Sequence, residues 1–322
     1  MKLVTAFLRL VRWPNLVFIV VTQSLFYYLV VIPLFYKNNT TPVLNPVLFW
    51  WLVVSSVLIA AAGYIINDYF DLNIDRVNKP EKLVVEKIIK RRWAIIWHLI
   101  LSFAGFVITL WVCFKVGDIY AVAVAVINFC CIIALWLYST IYKRRLLIGN
   151  ILISLLTAWT ILILYLINMK SFYLYTIVTD YMRNYEMAGT KLFKYAIVYA
   201  GFAFIISLVR EVIKDMEDRE GDAKYGCKTM PIVWGIPSTK VFVAVWLIVL
   251  TAALIIIQFY ALHLGWWWSV AYCVFTIILP LLWILRHLYK ANVAKDYNLL
   301  SNAVKLVMLA GILSMIFFRI YA

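Results

Sequence analysis

Nine apolar runs, each about 18 residues or longer and nearly free of charge, decide what this chain can fold into. They lie near residues 15–36, 44–66, 93–114, 119–142, 147–168, 193–213, 239–262, 266–286 and 299–320. A run of that length matches the hydrocarbon thickness of a bilayer when it is helical. Lipid offers no partner to an open strand edge, and barrel strands are shorter and alternate in polarity, so each run is predicted to be a helix. The expected fold is all-α, a polytopic membrane protein of nine spans forming one domain over residues 1–322. With 66% hydrophobic residues and only 15 acids in 322, few acidic side chains are left to place.

The basic residues set the expected orientation. The amino-terminal segment and the loops after spans two, four, six and eight hold 22 of the 30 Lys and Arg residues, which puts the amino terminus and the even loops in the cytoplasm. Lys305 stands apart, inside the last span. The net charge of +15 therefore reads as topology and attraction to anionic headgroups. Nucleic-acid binding is excluded as a reading, because it needs a soluble basic face. The first run is of spanning length with no small-residue cleavage site after it, so span one is expected to be retained. Cys113, Cys130, Cys131, Cys227 and Cys273 have no metal spacing and read as packing residues. Trp13, Trp50, Trp51, Trp93 and Trp266 to Trp268 read as interfacial anchors. His98, His263 and His287 show no partner pattern and read as structural, and 170–190 reads as an outer amphipathic connection.

The acids are concentrated. Asp68, Asp71 and Asp75 follow span two with the spacing D-x-x-D-x-x-x-D, and Asp215, Asp218 and Asp222 repeat it after span six. The clusters lie four spans apart, so spans one to four and five to eight read as two copies of one unit with span nine added. Offsets of 0, 3 and 7 fall within roughly 60° on a helix, which predicts one file of carboxylates per trio, and Glu211 extends the second file by a turn. Like charges on neighbouring turns repel, and an acid inside a span costs about 2.5–3.5 kcal/mol on insertion scales. The files are tolerable only if solvated or neutralised by cations.

Oxygen ligands without His or Cys select a hard cation such as Mg²⁺, which keeps waters and bridges carboxylates to phosphates. Two such files, each with one ion, suit a diphosphate. Arg76, Lys79 and Lys82 follow the first trio, Lys143, Arg144 and Arg145 follow span four, and Lys214, Lys224 and Lys228 flank the second trio. Each is a candidate phosphate ligand. The plainer reading makes these basics topology residues.

The segments "NDYFDLNID" (67–75) and "KDMEDREGD" (214–222) resemble the two acidic signatures of the UbiA-type intramembrane prenyltransferases. "NKP" (78–80), "YSTIYKRR" (138–145), Gly149 with Asn150, and "GDAKYGCKTMPI" (221–232) extend the likeness over nearly the whole chain. The resemblance implies a lateral, lipid-open cavity in which Asn67, Asp68, Asp71, Asp75, Asp215, Asp218 and Asp222 hold Mg²⁺ and a polyprenyl diphosphate, with Tyr138 and Lys143 on the diphosphate. It implies Mg²⁺-assisted ionisation of an allylic C–O bond, in a pocket whose aromatic walls keep water from the cation. Phe70, Tyr64, Tyr69, Tyr138 and Tyr142 are placed in sequence to line it. "REVIKDMEDREGD", with Arg210 and Glu211 ahead of the acids, and "LRLVRWPNLVFI" (8–19) look closest to the geranylgeranylglycerol-phosphate branch, in which Arg12 and Asn15 would face the acceptor. Snorkelling and helix capping are the alternative for those two. Lys82 departs from an Arg usual in the family, a less bidentate contact. Two other enzymes share this scaffold, an aromatic prenyltransferase and a terpene cyclase without an acceptor. A transporter fits poorly, since only Pro280 lies well inside a span and the acids sit at span ends.

Overall fold

The structure is a computed structural model that describes residues 2–78, 84–172 and 179–321. Its helices are α1 (Lys2–Leu10), α2 (Trp13–Lys37), α3 (Pro46–Asn78), α4 (Arg91–Val116), α5 (Ile119–Thr140), α6 (Ile148–Ile167), α7 (Asp180–Glu217), α8 (Arg219–Lys224), α9 (Met230–Val233), α10 (Gly235–His263), α11 (Trp267–Lys290) and α12 (Ala294–Tyr321). Among the described residues, nine of these are long and apolar enough to cross a membrane, in the places the apolar runs predict.

Two boundaries differ from the hydropathy reading. α3 continues beyond its apolar run through all three acids of the first motif to Asn78. α7 begins at Asp180, so the described residues 180–190 are the first turns of a spanning helix and not a separate outer connection. Met182, Tyr185, Ala188 and Leu192 recur at helical spacing and are buried. The Tyr185 hydroxyl donates to the Asn168 carbonyl, and its ring packs edge-on to Phe35.

α2 and α11 each carry a π-helical segment, Tyr27–Val31 and Val274–Ile278, just ahead of Pro33 and Pro280. Proline lacks the N–H and its ring crowds the carbonyl four residues back, and the wider turn lets the helix run on past both.

The chain divides into two compact units, Met1–Tyr142 with Trp159–Ile197, and Lys143–Ala158 with Val198–Ala322. In the first, α3 is the central helix: 56% of its apolar window is buried, against 28–39% for the other spans. Gly105 lets α4 approach α3 closely, since a Cβ there would lie 3.2 Å from the Ser55 carbonyl oxygen and 2.9 Å from Ile59. Ser55 Oγ donates to the Gly105 carbonyl at 2.8 Å and lies 2.6 Å from Thr109 Oγ1. Asn128 Nδ2 donates to Thr109 Oγ1 at 3.0 Å, and Trp159 Nε1 to Asn128 Oδ1 at 2.8 Å. These bonds tie α3 to α6 by groups that would otherwise be unsatisfied in lipid. Near the carboxyl end of α3, Ala6, Leu10 and Val11 pack with Ile65, Leu72, Val84, Val85 and Ile89, which anchors α1.

In the second unit, α7 packs on α10, α11 and α12 around Val209, Val212, Leu247, Ile277, Leu281, Leu300 and Val304. α7 and α12 run antiparallel: Tyr199 Oη lies 3.1 Å from Ser314 Oγ, Phe202 fills the space beside Gly311, and Asn298 Nδ2 donates to Glu217 Oε1 at 2.9 Å.

Candidate functional site

The first acidic motif is one continuous helical file. Because α3 runs unbroken to Asn78, Asp68, Asp71 and Asp75 follow one face, with Asp71 buried and the other two half-buried. Asn67, one residue earlier, is buried, and its Oδ1 has no hydrogen-bond partner in the structure. A buried orphan acceptor beside two carboxylates fits a cation or the water that a cation carries.

Arg12 meets this file. It joins α1 to α2 in a left-handed conformation, φ 50° and ψ 52°, which is uncommon away from glycine. Its Nη2 donates to Asp68 Oδ1 at 2.7 Å, and the guanidinium lies 5.3 Å from the Tyr64 ring, one turn before Asp68. Desolvation acts to lower the Arg12 pKa, and the Asp68 charge and hydrogen bond outweigh it, so the group is held above its ordinary value. Asn15 sits in the first turn of α2, its N–H donating to the Arg12 carbonyl at 2.8 Å. Arg76 is exposed and pairs with Glu86. Tyr138 lies half-buried near the end of α5. Lys79, Lys82 and Pro80 lie outside the described residues.

The second motif departs from the single file its spacing predicts. α7 ends at Glu217, Asp218 has the bridge-region angles φ −91° and ψ 6°, and Asp222 lies on the separate short helix α8. Glu211 and Asp215 thus belong to α7 and Asp222 to α8, with Asp218 at the joint; Asp222 is buried. Charge here is partly balanced: Glu211 Oε1 accepts from Arg210 Nη1 at 2.9 Å, and its Oε2 lies 3.5 Å from Lys214 Nζ. Asn150 Nδ2 donates to Asp215 Oδ2 at 2.9 Å.

Two loops of this unit are stitched by the Lys228 N–H, which donates to the Arg144 carbonyl at 2.8 Å, while the Cys227 N–H donates to the Asp222 carbonyl at 2.9 Å. The 143–145 turn therefore joins the loop after α8, where Lys224 and Lys228 are exposed and Lys143 is half-buried. Among the described residues of either unit, no three carboxylate, His or Cys groups form a preformed metal cage. Mg²⁺ is instead suited to one or two carboxylates completed by substrate oxygens.

Asn150 and Arg210 carry contacts that motif spacing does not assign. Asn150 pairs with an acid 65 residues away in sequence, so only its place in the "GN" stretch hints at a role.

The sequence profile of the UbiA prenyltransferase family matches residues 24–309. Among curated proteins, the digeranylgeranylglyceryl phosphate synthase of Methanosphaera stadtmanae is 28% identical over 256 residues, 79% of this chain and 81% of that one. The enzyme of the same name from Thermococcus gammatolerans is 33% identical over 175 residues, 54% of this chain and about half of the relative, 52%. A solved structure of digeranylgeranylglyceryl phosphate synthase superposes with a TM-score of 0.60 at 24% identity, covering 98% of this chain and 99% of that one. A UbiA homolog from Archaeoglobus fulgidus bound to DMAPP and Mg²⁺ gives 0.55 at 14% identity, with the same coverage. These structural likenesses establish the fold.

Proposed function

The chain belongs to the UbiA prenyltransferase family, and from that premise we propose that this multi-pass membrane enzyme transfers a polyprenyl group to a lipid acceptor, geranylgeranylglyceryl phosphate, forming an ether. The observation that carries the acceptor is the likeness, over about four fifths of both chains, to a relative named for that synthesis. The donor is a polyprenyl diphosphate, a reading supported by the prenyl diphosphates DMAPP and GPP bound in the Archaeoglobus homolog structures.

Asp68, Asp71, Asp75, Asp215, Asp218 and Asp222 would hold Mg²⁺, one ion at each motif, and the orphan Oδ1 of Asn67 fits the first. Bound Mg²⁺ neutralises charge gathering on the leaving diphosphate. Lys143, Tyr138, Lys214, Lys224, Lys228 and Arg76 are candidates for phosphate oxygens, Lys143 from the turn that Lys228 secures. The allylic C–O bond breaks and its electron pair leaves with diphosphate. The acceptor hydroxyl oxygen then bonds to that carbon and releases its proton to solvent. Arg12 fixes Asp68 on the α3 face, with Asn15 one turn further along, and that pair is assigned to the acceptor side.

The test incubates purified protein, Mg²⁺ and labelled geranylgeranyl diphosphate with geranylgeranylglyceryl phosphate, with 4-hydroxybenzoate, or with neither. Ether formation only with the lipid phosphate is expected. A prenylated arene would replace the reading with the aromatic one, and a hydrocarbon or terpenol without acceptor would make the protein a cyclase.

A further inference from the structure

The short helix α1 carries one apolar face too many for a helix that only packs on protein. Ala6 and Leu10, four apart on one stripe, are 1% and 0% exposed and pack with Ile65 and Leu72 of α3 and with Val84, Val85 and Ile89. A second stripe, Val4 and Leu8, is 65% and 44% exposed. A third, Thr5 and Arg9, is exposed and polar. At helical spacing the three stripes lie roughly 100° apart, so α1 is divided lengthwise into a protein-facing, an open apolar and an open polar strip. A helix end standing in water has no use for the open apolar strip. A helix lying in the plane of a bilayer surface uses all three.

The surroundings of that strip are lipid-facing already. Phe7, between the buried and the open apolar stripes, packs on Trp97 of α4 with ring centroids 5.3 Å apart. Trp93, Ile96, Trp97 and Ile100 share one face of α4, and all four are exposed on a helix that spans the membrane. Through Phe7, the open strip of α1 continues that lipid-facing surface. Charge supplies the other half. Residues 1–13 contain three basic residues and no acid, and 84–93 contain four basic residues against Glu86, which pairs with Arg76. Arg9, Lys90 and Arg92 of these two packed segments are exposed. An apolar strip bordered by exposed cations is the pattern that anionic headgroups attract.

We propose that α1 is an in-plane anchor that docks on an anionic lipid surface, in the leaflet at the motif end of α3, with Val4 and Leu8 at the acyl boundary and Arg9, Lys90 and Arg92 among the headgroup phosphates. The anchor concerns the first unit alone and holds whatever the acceptor is. It also bears on the site, because α1 leads directly into Arg12, which bonds Asp68. A helix held by lipid on one side and by α3 on the other delivers that arginine to the first acid file.

The test uses the full-length protein without its five native cysteines, with Leu8→Cys or Arg9→Cys carrying an environment-sensitive fluorophore, in phosphatidylcholine vesicles. Leu8→Cys is expected to be quenched by lipid bearing a nitroxide near the headgroup end of its chain and shielded from aqueous iodide, and Arg9→Cys to be quenched more by iodide. Iodide quenching of Leu8→Cys equal to that of Arg9→Cys would put the strip in water and overturn the anchor. Shielding of Leu8→Cys from both quenchers would show protein covering it, a second copy included, and would overturn it as well. The second measurement compares nitroxide-labelled phosphatidylglycerol with nitroxide-labelled phosphatidylcholine at equal mole fraction. Quenching of Leu8→Cys about twofold or more stronger by the anionic lipid is expected, and the preference is expected to vanish when Arg9→Gln, Lys90→Gln and Arg92→Gln are combined. Equal quenching by the two lipids in the otherwise unaltered protein would overturn the anionic partner. All the altered side chains are exposed, so folded variants are expected, with the melting temperature as the control.

Discussion

At the scale of single residues, Asp71 and Asn150 distinguish a proposed ligand from its proposed support. Asp71 is the buried member of the first file, beside the orphan oxygen of Asn67. Its replacement by Asn keeps size and hydrogen bonding and removes the charge that a divalent ion needs. Asp71→Asn is expected to lower turnover by about a hundredfold or more, with an unchanged elution profile. EDTA should silence the wild type and added Mg²⁺ restore it; full activity in EDTA would exclude a metal role for both files. Asn150 donates to Asp215 at 2.9 Å and would act on the chemistry through it. A hydrogen bond to a charged group contributes about 1.5–3 kcal/mol, so Asn150→Ala should lower turnover by roughly tenfold to a hundredfold. The Mg²⁺ concentration for half-maximal rate is the informative readout, because an unchanged value would mean that Asn150 merely packs. The motifs announce Asp71 by charge and spacing. Asn150 is legible only as part of a likeness, because a neutral side chain bonding across 65 residues leaves no periodic trace.

At the scale of elements, the nine spans are legible because lipid demands length and uniform hydropathy, and the structure places a helix on every predicted run. What hydropathy misses lies where a helix leaves the hydrocarbon. Arg183, Glu186, Lys191 and Lys194 lower the apolar character of the first turns of α7, yet the opposite stripe from Met182 to Leu192 is buried and carries the helix back to Asp180. The same limit hides the joint at Asp218, since equal spacing in the two motifs says nothing about a backbone that leaves helical angles. Close helix approach is likewise a property of neighbours and not of local sequence. Gly105 faces the Ser55 carbonyl at a separation that a Cβ would reduce to 3.2 Å, and backbone cannot rotate away as a side chain can. Gly105→Val is therefore expected to destabilise by about 1–3 kcal/mol, read as a lower melting temperature in detergent with an unchanged donor KM below the transition. An unshifted melting temperature would show that α3 and α4 separate at no cost.

At the scale of the whole molecule, charge asymmetry and the acid motifs make one argument. Prenyl diphosphates are water-soluble at one end, and a site for that end is useful only where the motif-bearing helix ends meet an aqueous phase that supplies the donor. The positive-inside rule, applied to the basic residues of the amino-terminal segment and the even-numbered loops, predicts the cytoplasmic side for the span ends that carry the acid motifs. From this we expect the amino terminus and both motifs to face the cytoplasm. Single cysteines placed at Arg145, in the turn beside Lys143, and at Lys37, at the far end of α2, read this directly with a membrane-impermeant maleimide. In inside-out vesicles from a background lacking the five native cysteines, Arg145→Cys should label and Lys37→Cys should not, with the pattern reversed in right-side-out vesicles. The opposite result would put the diphosphate ligands on the outer face, and the donor would then have to be supplied from outside the cell.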